Sequence, residues 1–95
     1  MLRVDVGQMH ERARELVVSG ALDVDRVPVI RQAIDESNAR GEGVILNLRG
    51  LIGVDRAGCE ALLDWSARGT RLLECPPFLR RWIREERDSR IREYS

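Results

Sequence analysis

The apolar positions of this chain change rhythm several times, and the clearest change lies between Val44 and Gly69. Val44, Leu46 and Leu48 alternate with Ile45 and Asn47, which predicts a strand with one fully apolar row and one mixed row. The apolar row is the better covered of the two. Gly50 to Arg56 reads as a short Gly-marked loop, in which Asp55 offers a carboxylate to first-turn N–H groups that have no partner inside a helix. The helix then starts at Arg56. Cys59, Leu62, Leu63 and Ser66 share one arc of it, while Arg56, Glu60, Asp64 and Arg68 form a polar stripe at spacing four. Gly58 falls near the packing side, where a missing side chain lets helix and sheet come close, against an intrinsic cost of about 1 kcal/mol relative to Ala. Gly69 follows the last turn as its C′ residue.

The same reading extends to the rest of the chain. Leu2, Val4 and Val6 alternate with Arg3 and Asp5 as a half-buried first strand ending at Gly7, and Gln8 to Arg14 reads as a turn or irregular hairpin connection. Leu16 to Ser19 is a second strand, antiparallel to the first and ended by Gly20. Asp23 or Asp25 caps the first long helix, Pro28 is tolerated in its first turn, and Val27, Ile30 and Ile34 form its core stripe. Gly41 and Gly43 mark its exit. Thr70 to Cys75 is a fourth strand, stopped by Pro76-Pro77, which open a last helix. Leu79, Trp82 and Ile83 face inward there, Arg80, Arg81, Arg84 and Arg87 face out, and residues 88–95 form a polar tail expected to fray. Strand, helix, strand, helix, strand with short links argues parallel pairing through right-handed crossovers.

Composition narrows the function more than the fold. A chain of 95 residues makes one domain and buries roughly 60 to 65% of its unfolded surface, without needing a metal or disulfide staple. Sixteen basic residues balance sixteen acidic ones, so no global field favours nucleic acid or an anionic membrane, and a specific protein partner fits better. Every basic residue is Arg. We read that as codon bias of a GC-rich genome more than as selection for guanidinium chemistry, although Arg suits protein interfaces. Cys59 and Cys75 have neither C-x-x-C spacing nor the pattern of a disulfide framework, which fits a reducing cytoplasm. The N-terminal segment lacks the apolar region of a signal peptide, and no apolar run approaches the roughly 20 residues of a transmembrane helix.

The stretch VILNL, then Val54-Asp55-Arg56-Ala57-Gly58, then Leu62 and Leu63 resembles the signature of the STAS domain family, named for sulfate transporters and anti-sigma factor antagonists. In that family a buried V-x-L-D-L strand leads through a short loop to D-x-x-G and a Leu-rich helix. A second feature, a strand ending in G-x-L-D, is matched upstream by Gly20-Ala21-Leu22-Asp23, and two motifs in the right order are more specific than either alone. The likeness covers roughly residues 15 to 84. It implies an α/β fold of the STAS-like (SpoIIAA-like) strand-helix superhelix type: a mixed, mostly parallel four-stranded sheet with about three helices. It also implies a partner-binding surface made of Asp23, Gly53, Val54, Asp55, Arg56, Ala57, Gly58 and Glu60. Two positions depart from the family. Signalling members carry a Ser or Thr two residues after the loop Asp, which a partner kinase phosphorylates; here Ala57 has no hydroxyl, so that switch cannot operate at this position. The strand Asp is replaced by Asn47.

Other candidate chemistry gives way to plainer readings. Arg56 opposes the helix dipole in the first turn, which invites a contact role, but a solvated Arg paired with Asp55 or Glu60 explains it as well. Cys75 before two prolines has no nearby His in sequence, and His10 with two distant cysteines lacks metal-ligand spacing, so neither a nucleophile nor zinc is expected. No phosphate-cradling or nucleophile-elbow motif occurs. Trp65 and Trp82 are expected to pack, and the acidic residues of the last helix break its Arg run into a solvated face. The expected function is a non-catalytic, cytoplasmic interaction module without cofactor, resembling an anti-sigma factor antagonist. Its partner would be an anti-sigma factor-like kinase, and a weak homodimer is compatible with it. The alternative is an accessory subunit of a membrane transport complex, with a transporter subunit as partner; a thiol enzyme would require an accessible, acidic Cys75.

Overall fold

The order of elements in a computed structural model is β1 (Leu2–His10), β2 (Ala13–Leu22), α1 (Val27–Ala39), β3 (Gly43–Val54), α2 (Arg56–Ala67), β4 (Arg71–Leu73) and α3 (Pro77–Tyr94). It describes the backbone of residues 1–94 and the side chains of residues 1–88. The strands form one sheet in the order β1-β2-β3-β4, with β1 antiparallel to β2 and the other two pairings parallel. This is the mixed four-stranded sheet with three helices expected of the SpoIIAA-like α/β fold.

Period-two patterning decides which face the helices cover. Leu16 of β2 lies opposite Leu46 of β3, which lies opposite Leu72 of β4, so one apolar row crosses three strands. That row, with Val18, Leu48 and Leu51, meets Ile30 and Ile34 of α1, Leu62, Leu63 and Trp65 of α2, and Leu79 and Ile83 of α3 in one core. Val18, Ile30, Leu46, Leu48 and Leu62 are fully excluded from solvent, each such side chain contributing roughly 1.5–3 kcal/mol. The mixed row of β3 is covered too. Ile45 and Asn47 are both buried, with Asn47 lying under Glu15 and Glu74, so the expected contrast between the two faces does not hold at the centre of the sheet.

Three strands are longer than the pattern indicates, and one is shorter. The segment from Gln8 to Arg14 is no irregular connection: β1 runs on to His10, pairs it with Ala13, and turns through Glu11 and Arg12 alone. Those two residues have φ of 51° and 73°, the left-handed pair a two-residue hairpin turn demands, usually met by Asn-Gly. A register shift between Val6 and Met9 leaves Val6 70% exposed at the sheet edge despite its pairing with buried Leu16. Gly20 does not end β2. It takes φ +98° at an irregularity and the strand continues to Leu22; a Cβ there would collide with the Met1 carbonyl oxygen. Likewise β3 does not break into a loop at Gly50, because Gly53 and Val54 still pair with Ala21 and Leu22. The fourth strand spans only Arg71–Leu73, ended by Glu74 at φ 50°.

The helices match the periodicity more closely. Val27, Ile30 and Ile34 are buried on α1, and Pro28 sits in its first turn. The residue at the N-cap is Arg26, without a side-chain cap; Asp23 instead accepts the Asp25 and Arg26 N–H groups at 3.1 Å each, closing the turn before the helix, and Asp25 caps nothing. Asp55 caps α2 as expected, and Gly69 at φ +107° follows its end. The backbone of α3 is helical to Tyr94, through most of the 88–95 tail; Ser95 lies outside the described residues.

Candidate functional site

The carboxyl ends of the parallel strands β2 and β3 lie side by side, and each leads directly into a helix, so two loops and two helix starts meet at one edge of the sheet. Such strand ends are where α/β sheets place their binding surfaces. Asp55 fastens the two loops together. One carboxylate oxygen accepts the Gly58 N–H at 2.8 Å and caps α2, while the other accepts the Val24 N–H of the β2–α1 turn at 3.0 Å. Its own N–H donates to the Leu22 carbonyl at 3.1 Å and its carbonyl accepts from Cys59 at 2.9 Å. Asp55 therefore reaches the surface, yet both its oxygens serve the loops.

Asp23 organises the other half of the site. Besides its two backbone bonds, it accepts from the Arg26 guanidinium at 2.8 Å. Partial desolvation pushes this carboxyl upward, but the Arg26 bond and charge, helped by the two N–H donors, outweigh it and leave the group below the ordinary carboxylate value. Ala21 and Leu22 pair with Gly53 and Val54, and the Val24 N–H reaches Asp55, so Asp23 stands at the same end of the sheet as Gly53, Val54 and Asp55.

The remaining residues divide. Gly58 is buried beneath the helix start, where a Cβ would lie 2.7 Å from the Leu22 carbonyl oxygen and 3.1 Å from Val54 Cγ1, so its part is close packing. Arg56 points to solvent and pairs with Glu60 at 3.3 Å, the plain reading of that residue. Ala57 and Glu60 line a shallow groove of about 350 Å³ between α1 and α2, with Val24, Val27 and Pro28 on its other side. Two residues at this edge escaped the sequence reading: Val24, 61% exposed, and Ile52, 81% exposed. Alternation continued from Leu46 and Leu48 would turn Ile52 inward, but the strand irregularity at Gly50 shifts the row, so that Leu51 is buried and Ile52 faces solvent, and the sequence pattern carried no signal of it.

Asn47 sits on the far side of β3 from the core. Its amide nitrogen donates to Glu74 at 2.7 Å and to Glu15 at 3.2 Å, and its oxygen accepts the Arg49 N–H at 3.1 Å. An Asp here would place three carboxylates together, so Asn is the residue that these neighbours require. Cys75 is half-buried at the end of β4; burial raises its thiol, with only partial opposition from Arg80, which is the reverse of an activated nucleophile.

By sequence, neither a family model nor a curated protein matches the chain. Solved structures do resemble it. The anti-sigma factor antagonist SpoIIAA in its unphosphorylated form superposes with a TM-score of 0.65 at 22% identity, over 95% of this chain and 98% of that one. An anti-sigma factor antagonist from Mycobacterium paratuberculosis gives 0.61 at 20% identity, over 76% of this chain and 64% of that one. An uncharacterised Shewanella loihica protein with a SpoIIAA-like fold gives 0.50 at 11%, over 72% and 57%. Near-complete mutual coverage with SpoIIAA, together with the strand order and the helices on one core, gives this chain the STAS-like fold of the anti-sigma factor antagonists.

Proposed function

We propose that this chain is a non-catalytic protein-interaction module of the anti-sigma factor antagonist type, binding a regulatory protein through the clasped edge around Asp55. The observation that carries this reading is the placement of Val24 and Ile52. Val24 stands in solvent on the β2–α1 turn that Asp23 and Asp55 hold, lining the Ala57 groove, and Ile52 stands in solvent near the end of β3, beside Gly20 and Ala21 of β2. Exposed apolar groups on a fixed frame suit a protein partner, and the fixed frame lowers the ordering cost of binding. The likeness to two antagonists supports the same direction. Because Ala57 offers no hydroxyl, binding at this edge is constitutive and is not regulated by phosphorylation there.

The test is affinity capture from the native cell with three baits: wild type, Ala57→Glu and Ile52→Asp. The first-turn dipole favours the new Glu charge by roughly 0.3 to 1 kcal/mol, so folding stability changes little, while burying that charge at an interface costs several kcal/mol. A regulatory protein recovered by wild type and lost by both variants, with unchanged melting curves, is the expected result. Equal recovery by all three baits would refute the assignment, and recovery of a transporter subunit would favour the accessory-subunit reading.

A further inference from the structure

The sheet ends on one side in β1, nine residues long, with β2 as its one strand neighbour. The helices cover one face of the sheet, and among the described residues no strand pairs with the outer side of β1. Which of its peptide groups face outward follows from one bond. Ala21 N–H donates to the Met1 carbonyl at 3.0 Å, and the antiparallel register then holds unbroken from Leu2 with Gly20 to Val6 with Leu16. Alternation therefore turns the peptide groups of Met1, Arg3 and Asp5 toward β2 and those of Leu2, Val4 and Val6 toward the open side.

We propose that β1 is a self-complementary edge to which a second copy of this chain adds, giving a two-fold antiparallel dimer centred on Val4. In that register Val4 lies opposite Val4 of the other copy and Leu2 opposite Val6, and their outward N–H and C=O groups pair. Arg3 of each copy falls opposite Asp5 of the other, so both charge pairs are attractive. The neighbouring two-fold registers place Arg3 on Arg3 or Asp5 on Asp5, directly opposed like charges that disfavour them. A shift by one residue sets outward peptide groups against groups already bonded to β2. Val6, 70% exposed on the core-facing row, gains Leu2 of the other copy as cover. The bond between Arg3 and Asp5 within one strand, 3.0 Å long with side chains 77% and 49% exposed, is a surface pair that exchanges partners at little cost. Edge strands are usually blunted by charges of one sign or by proline; here the two charges are of opposite sign and complementary under the two-fold axis.

Sedimentation equilibrium and amide hydrogen exchange over a concentration series test this. Wild type is expected to dimerise reversibly, with the Leu2, Val4 and Val6 amides gaining protection as concentration rises and those of Arg3 and Asp5 protected throughout. Arg3→Asp should raise the dimer dissociation constant by about tenfold to a hundredfold, since both symmetry-related pairs become repulsive. The double charge swap Arg3→Asp with Asp5→Arg should return it close to wild type. Val4→Pro removes an outward donor that an edge strand does not use internally, so it should abolish the dimer and keep the monomer's spectrum. A wild type that stays monomeric at millimolar concentration, a dimer indifferent to both Arg3→Asp and Val4→Pro, or a charge swap that fails to restore association would each overturn the proposal.

Discussion

Replacing Asn47 with Asp exchanges one atom for another of nearly equal size, so the expected damage is electrostatic. The Asn47 amide nitrogen is the donor shared by the Glu15 and Glu74 carboxylates, at 3.2 and 2.7 Å, in a residue that is 3% exposed. Hydrogen bonds to charged groups contribute roughly 1.5–3 kcal/mol each, and both are lost. The new carboxylate also sits against two others. Glu74 is exposed and can swing away, which discounts its share, whereas Glu15 is held between sheet neighbours. A net loss of about 2–4 kcal/mol at neutral pH follows, a large part of the roughly 5–15 kcal/mol that stabilises a domain. The deficit must depend on pH. Like charges raise the folded-state pKa of the introduced carboxyl above its unfolded value, so the penalty is present above that pKa and fades as pH falls and the group protonates. Urea unfolding at pH 7 and pH 5 measures both the size and the trend. Adding Glu15→Gln restores a donor and should recover a substantial part of the loss. A deficit below about 0.5 kcal/mol, or one that does not shrink on acidification, would refute the reasoning.

Three further outcomes are expected. Leu46→Ala removes a fully buried side chain from the row crossing three strands and should cost about 2–5 kcal/mol by chemical denaturation; less than about 0.5 kcal/mol would contradict its place in the core. Gly58→Ala gains helix propensity but drives a Cβ to 2.7 Å from the Leu22 carbonyl oxygen, a backbone atom that cannot step aside, so a net loss of about 1–3 kcal/mol should appear as a lower melting temperature. The Asp23 carboxyl lies below its ordinary value in the folded state. Its stabilisation is therefore complete above the unfolded pKa and is lost as pH falls through the folded one, and Asp23→Asn should flatten the acid limb of the stability–pH curve below about pH 4.

Much of the fold was legible because the core obeys simple periods. Leu46, Leu48, Leu62, Leu63, Val18 and Ile30 were all placed by spacing, as were the Asp55 cap and the close approach at Gly58. Strand ends were misjudged for a physical reason. Glycine was taken as punctuation at Gly20 and Gly50, whereas in both places it lets a paired strand pass through an irregularity. The Glu11-Arg12 turn carried no turn signal, since neither residue favours positive φ and the hairpin imposes it. At the candidate site, the motif pointed to one edge of the sheet but could not distinguish Asp55, whose oxygens both serve the frame, from Ile52 and Val24, which face solvent. That distinction depends on which backbone N–H groups converge on one carboxylate, and one of them comes from Val24, 31 residues away in sequence from Asp55.

The shortness of β4 bears on how far any strand-to-strand association can go. Three residues followed by Glu74 at positive φ and by two prolines that lack N–H donors leave little on that side for another chain to copy. A sheet with two equally open sides can add subunits without end and grow into a fibre; one with a single open side runs out of valence after the first addition. Whatever joins at β1 therefore closes the assembly, and the truncated strand at the opposite side acts as a chain terminator against polymerisation.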